Sequence, residues 1–149
     1  MDRASYRLRI TSTTSDAARV TARRHQFAVG RPIDFDAEYP HVTALEYALG
    51  ALGAEVVSGL RMFAKRRRIE IDEIEAIVDG EVANPLTYLE VVGESGHPGL
   101  ARVFIKVYVA SPGDEQTLNQ LWHETLERLP LVRTFRNLLN LSIELALTA

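Results

Sequence analysis

Glu46 and Glu55 are the only charged side chains between Ala44 and Val57, and their placement raises the first question of chemistry. Thr43-Ala44-Leu45-Glu46 has the form of a capping box, in which hydroxyl and carboxylate each satisfy a backbone N–H at a helix start. That role, with the favourable helix dipole, is reason enough for Glu46, and a retained site role stays open beside it. Glu55 has no basic residue three or four positions away, so no pair within its helix satisfies it. It must be solvated, paired from another element, or protonated with a raised pKa. If buried, it is a candidate general acid or base or a ligand contact; on an open face it is a solubilising charge. A joint acid/base role is disfavoured. A rise of about 1.5 Å and a turn of about 100° per residue put the two carboxylates roughly 13 Å apart on opposite faces. Carboxylate pairs in glycoside hydrolysis stand roughly 5–9.5 Å apart. Only a bend at the intervening glycines, or a second chain, would change this.

Other chemistries find less support. His25, His41, His97 and His123 are scattered, without metal-ligand spacing; His123 and Glu127 are one turn apart but lack a second histidine. No metal or cofactor is expected. Lys65-Arg66-Arg67-Arg68 at the end of a helix reads as dipole compensation on a solvated end, not a nucleic-acid contact. The chain has no cysteine, which removes disulfides, thiolate metal sites and thiol catalysis. A glycine-rich phosphate loop and a G-x-S-x-G elbow are also missing.

The elements that must position these residues follow from the patterning. At 149 residues one domain is expected, spanning 1–149. A net charge of −3 gives no general attraction to nucleic acid or to anionic membranes. No apolar run approaches the roughly 20 residues of a membrane span, and the start lacks a signal-peptide core, so a cytoplasmic location is expected. Alternation predicts strands over Tyr6–Thr13, Ala18–Ala28, Glu73–Val82 and Arg102–Ala110, with a last strand around Ile143, Leu145 and Leu147. A turn is expected at Thr14-Ser15-Asp16, another at Ala83-Asn84-Pro85, and loops over Pro32–His41 and Gly93–Gly99. A long helix, apolar on most faces, runs from Thr43 to about Arg68. A second helix opens at Ser111 as N-cap with Pro112 in the first helical position and ends at Pro130. A short helix follows over Val132–Leu139. The fold class is α+β.

Ala44-Leu45-Glu46-Tyr47-Ala48-Leu49-Gly50-Ala51-Leu52-Gly53-Ala54-Glu55 resembles the central-helix signature of the OsmC/Ohr family, roughly P-x-E-x-L-L-x-A-L-G-x-C. Arg24-His25-Gln26-Phe27 resembles that family's G-H-x-F strand. Leu129-Pro130-Leu131 with Thr134-Phe135 resembles its C-P-V…T-L motif. The likeness spans essentially the whole chain in the family's element order. It implies antiparallel sheets packed around a long central helix, in an intertwined homodimer. It also implies, for the family, a peroxidatic thiolate on the central helix, a resolving cysteine near the C-terminus, and an arginine and glutamate that polarise the first thiolate.

Matched residue by residue, the peroxidatic position holds Glu55 and the resolving position holds Leu129. The signature glutamate is matched by Glu46, Ala44 replaces the opening proline, and the Gly-Gly before the helix is absent from Phe35-Asp36-Ala37-Glu38. Arg19, Arg23 and Arg24 are the candidates for the polarising arginine. The family role is detoxification of organic hydroperoxides. A carboxylate cannot cycle through sulfenic acid, so Glu55 is no substitute there. The expectation is a binder of a small apolar molecule at an interface pocket around Glu55. The alternatives are an enzyme of other chemistry using Glu55 as general acid or base, and a structural remnant.

Overall fold

Thr43 and Glu46 close the N-terminus of the longest helix as the spacing predicts. In the computed structural model the Glu46 N–H donates to Thr43 Oγ1 at 3.1 Å, and the Thr43 N–H donates to Glu46 Oε1 at 3.0 Å. The structure describes residues 2–12, 16–138 and 140–148. The chain forms β1 (Leu8–Ser12), β2 (Ala18–Ala22), β3 (His25–Val29), α1 (Ala44–Arg66), β4 (Glu73–Val82), α2 (Pro85–Tyr88), β5 (Leu100–Ala110), α3 (Glu115–Leu126), α4 (Pro130–Arg136) and β6 (Asn140–Thr148). It divides into two compact units, residues 1–48 and 49–149, and α1 begins in the first and continues in the second.

The first unit carries an antiparallel sheet in the order β1-β2-β3, with Ile10, Val20 and Phe27 in one cross-strand row. The continuous strand expected over Ala18–Ala28 is instead a hairpin. It turns at Arg23, whose φ is +57°, and no glycine or asparagine marks the turn in the sequence. Thr13, Thr14 and Ser15, in the expected strand end and turn, lie outside the described residues.

In the second unit the sheet order is β4-β5-β6. β4 and β5 are antiparallel, but β6 runs parallel to β5, which corrects the expectation of antiparallel sheets. The crossover through α3 and α4 supplies the length that a parallel connection requires. Val103, Ile105, Val107 and Val109 point inward from β5 and pack with Leu52, Val56, Leu60 and Phe63 of α1 and with Leu121, Trp122 and Leu126 of α3. Two glycines let α1 approach its neighbours. A Cβ at Gly53 would stand 2.6 Å from Val78 Cγ2, and one at Gly59 would stand 2.5 Å from Leu129 Cδ2.

The smaller helices start where an acceptor is available, not where the sequence pattern alone placed them. The N-cap of α3 is Asp114, which accepts the Thr117 N–H at 2.6 Å, and not Ser111. Ser111 Oγ donates to Glu70 O and accepts the Gly113 N–H, so it holds the preceding turn. Asn84 caps the short α2 where only a turn was expected. Pro130 opens α4 instead of ending α3, because the first helical position needs no N–H. The helix expected over Val132–Leu139 therefore spans Pro130–Arg136, and Leu139 lies outside the described residues. No helix among the described residues is long and apolar enough to cross a membrane.

Candidate functional site

The start of α4 lacks its own cap. Leu129 occupies the N-cap with no side-chain acceptor, and Pro130 has no N–H, so Leu131 and Val132 carry the first orphan donors. Glu55, half-buried on α1, supplies both acceptors. The Leu131 N–H donates to Glu55 Oε2 at 2.8 Å and the Val132 N–H to Glu55 Oε1 at 3.0 Å. The carboxylate thus acts as a capping group delivered from another helix, where the dipole also favours a negative charge. This is the partner from another element that the sequence left open.

Leu129 is buried at 4% exposure, and its side chain packs where Gly59 leaves room, one turn beyond Glu55 on α1. Positions 55 and 129 therefore both lie at the α1–α4 contact. The donors of Leu131 and Val132 were not singled out from the sequence. The signal for them was present in Leu129-Pro130, an N-cap without an acceptor followed by a proline.

Glu46 belongs to the first unit. Its Oε1 also accepts the Thr43 hydroxyl at 2.9 Å. The Thr43 backbone N–H, then its hydroxyl, hold the Glu46 carboxyl below the usual carboxylate range. With His41, Asp34, Asp36 and Tyr39, Glu46 lines a polar cavity of about 220 Å3. Local turns and an arginine engage its other acids: Asp34 accepts the Asp36 N–H and Arg31, and Asp36 accepts the Glu38 N–H. Arg19 sits on β2, and Arg23 and Arg24 in the β2–β3 turn, all exposed.

His25, His97 and His123 are exposed on separate elements, and Glu127 pairs with Arg133 and Arg136 instead of with His123. No group of three or more histidine and carboxylate side chains converges on one point among the described residues. In the basic run, Arg67 pairs with Glu124 at 2.8 Å, and Arg66 and Arg67 lie over the Phe63 ring at 5.3 and 5.5 Å.

Comparison with known proteins agrees with the motifs. The family model described as OsmC, OsmC-like protein, matches residues 36–144. An OsmC-like protein from Mycoplasma pneumoniae has a similar fold, with a TM-score of 0.80 and 17% identity over 100% of both chains. An organic hydroperoxide resistance protein OsmC from Legionella pneumophila aligns with a TM-score of 0.67 and 10% identity, covering 97% of this chain and 99% of that one. The organic hydroperoxide resistance protein OhrB of Bacillus subtilis gives a TM-score of 0.60 and 19% identity, covering 95% and 98%. Comparison with functionally curated proteins gives no match. The capped α4, the two small sheets, the long helix and the family match lead to one assignment: the chain belongs to the OsmC-like family, and it does so without a cysteine to carry thiol peroxidase chemistry.

Proposed function

We propose that residues 1–149 act as one domain, a non-catalytic binder of a small apolar molecule, in a homodimer whose ligand site includes Glu55. The observation that carries this reading is the engagement of both Glu55 oxygens by the N–H groups of Leu131 and Val132. A general acid or base is normally oriented by a neighbouring charged group, and among the described residues Glu55 forms no ion pair with an arginine or histidine. The acid/base reading is the weaker one for that reason. Each oxygen keeps a second acceptor direction, enough to orient one polar group on an otherwise apolar ligand. Beside Glu55, α1 exposes Gly50, Ala51, Ala54 and Ser58, and Met62 is 43% exposed. A second copy laid on this shallow apolar strip would wall a ligand space. Leu8 and Ile10 of β1, 48% and 60% exposed, are further apolar surface that a second copy would cover.

A structural role without a ligand is the second reading. It is favoured by the fact that Glu55 lies in the wall of none of five cavities formed by the described residues. Titration with the neutral fluorophore N-phenyl-1-naphthylamine, alongside light scattering, separates the two. Saturable binding at one probe per chain by a dimer, lost in Ala54→Arg, is the expected result. A dimer with no saturable binding selects the structural role, and a monomer without binding overturns the proposal.

A further inference from the structure

The C-terminal end of α1 closes as a Schellman motif. The Ile69 N–H donates to Ala64 O at 2.9 Å and the Arg68 N–H to Lys65 O at 3.1 Å. The residue that must adopt the left-handed conformation is Arg68, at φ +56°. Glycine is the usual occupant, because a Cβ strains the backbone there. A cation is thus held at a position where glycine would relax the chain, and a strained residue of this kind is a reason to look for a use.

The same turn borders an open groove of about 390 Å3. Its floor is apolar: Ala64 and Ile71 are buried at 2% and 7% exposure, and Ile69 is half-buried. Its rim carries Arg61, Lys65 and Arg68 against the single carboxylate of Glu70. The ion pairs among the described residues use Arg31, His41, Arg67, Arg102, Lys106, Arg133 and Arg136, and none uses the three rim cations. Arg61 is held across the groove by one hydrogen bond, from Nη1 to Ile71 O at 2.5 Å, which uses one of its five donors.

We propose that this groove binds a medium-chain alkyl carboxylate, its head group between Arg68, Lys65 and Arg61 and its tail on Ile69 and the aliphatic stems of Arg61 and Lys65, above the buried Ala64 and Ile71. The volume lies within the roughly 300–1,000 Å3 usual for small-molecule sites. An inorganic anion would leave the apolar floor wet, and a cationic amphiphile would meet three like charges. A nucleic acid would find no aromatic ring in the lining on which to stack a base. Lys65 and Arg66 already stand in the last turn of α1 to offset the helix dipole, so Arg61 and Arg68 are not required for that. The groove shares no residue with the Glu55 site, and the proposal does not rest on that reading.

Calorimetric titration of the whole protein with decanoate, below its micelle-forming concentration, tests the groove. Inorganic phosphate and decyltrimethylammonium are titrated in parallel, and Arg68→Gly and Lys65→Gln are compared with the unaltered chain. The expected result is one decanoate per chain and no binding of the other two probes. Arg68→Gly should weaken decanoate at least fivefold while raising the thermal midpoint, and Lys65→Gln should weaken it by a similar factor. A role confined to dipole compensation predicts no change in binding. Equal affinity for phosphate or for the cationic amphiphile, no decanoate binding by folded protein, or unchanged affinity in Arg68→Gly would overturn the proposal. If decanoate binds while the neutral naphthylamine probe does not, only the Glu55 reading falls.

Discussion

A carboxylate between two helices makes Glu55 informative in a way its position in the sequence does not. Its oxygens accept the donors of Leu131 and Val132, which Leu129 and Pro130 leave without a local acceptor. Glu55→Ala should therefore lower stability by about 1–2 kcal/mol, the range of a lost helix cap, as read by urea unfolding. Glu55→Gln keeps one acceptor and should lose less; equal loss in both variants would show that packing, not acceptance, is what Glu55 provides. Thr125 poses the opposite case. It is buried at 0% exposure and its hydroxyl has no partner among the described residues. Replacing a buried, unsatisfied hydroxyl by a methyl removes a desolvation penalty of roughly 1–3 kcal/mol, so Thr125→Val should raise the thermal midpoint. With no thiol in the chain, the protein should consume neither cumene hydroperoxide nor hydrogen peroxide with dithiol reductants above a no-protein control.

Helix ends are also where acid should act. Glu46 at the start of α1 and Asp114 at the start of α3 are held below their ordinary carboxylate values, first by the backbone N–H groups of Thr43 and Thr117. Glu124, which joins α3 to Arg67, is lowered first by Gln120. A carboxylate depressed in the folded state stabilises fully above its unfolded pKa and loses that contribution as pH falls through the folded value. Stability should thus be flat near neutrality and decline as pH drops below the reference values of 4.5 for Glu46 and Glu124 and 3.8 for Asp114. Asp114→Asn keeps an acceptor that does not titrate and should flatten its share of the decline, as measured by midpoint against pH. The contact between α1 and α4 can be tested by cross-linking. A disulfide needs Cα atoms about 4.4–6.8 Å apart, and positions 55 and 129 both lie at the capped start of α4. Glu55→Cys with Leu129→Cys should bridge within one chain under mild oxidation, losing two hydrogens by intact mass; two freely alkylated thiols would contradict the match of these positions to the family's cysteine pair.

At the scale of the molecule, the expected assembly is a homodimer that does not dissociate without unfolding. Light scattering at micromolar concentration should give twice the mass of one chain, and a single-chain mass would refute the expectation. Composition and periodicity determined much of the architecture on their own. The missing cysteine excludes thiol chemistry from composition alone, the capping box and the apolar run place α1, and strict alternation places β4 and β5. Those signals are local, so they survive without knowledge of neighbours. The parallel pairing of β6, and the engagement of the Ser111 hydroxyl by Glu70 O that leaves Asp114 to cap α3, were decided by the tertiary structure, because each turns on a strand or acceptor distant in the chain. The hairpin at Arg23 is local, but no turn residue announces it. Glu55 shows the division most plainly. Sequence spacing established that its own helix offers no counter-charge, while its partners lie more than seventy residues away, and only folding brings those N–H donors within reach.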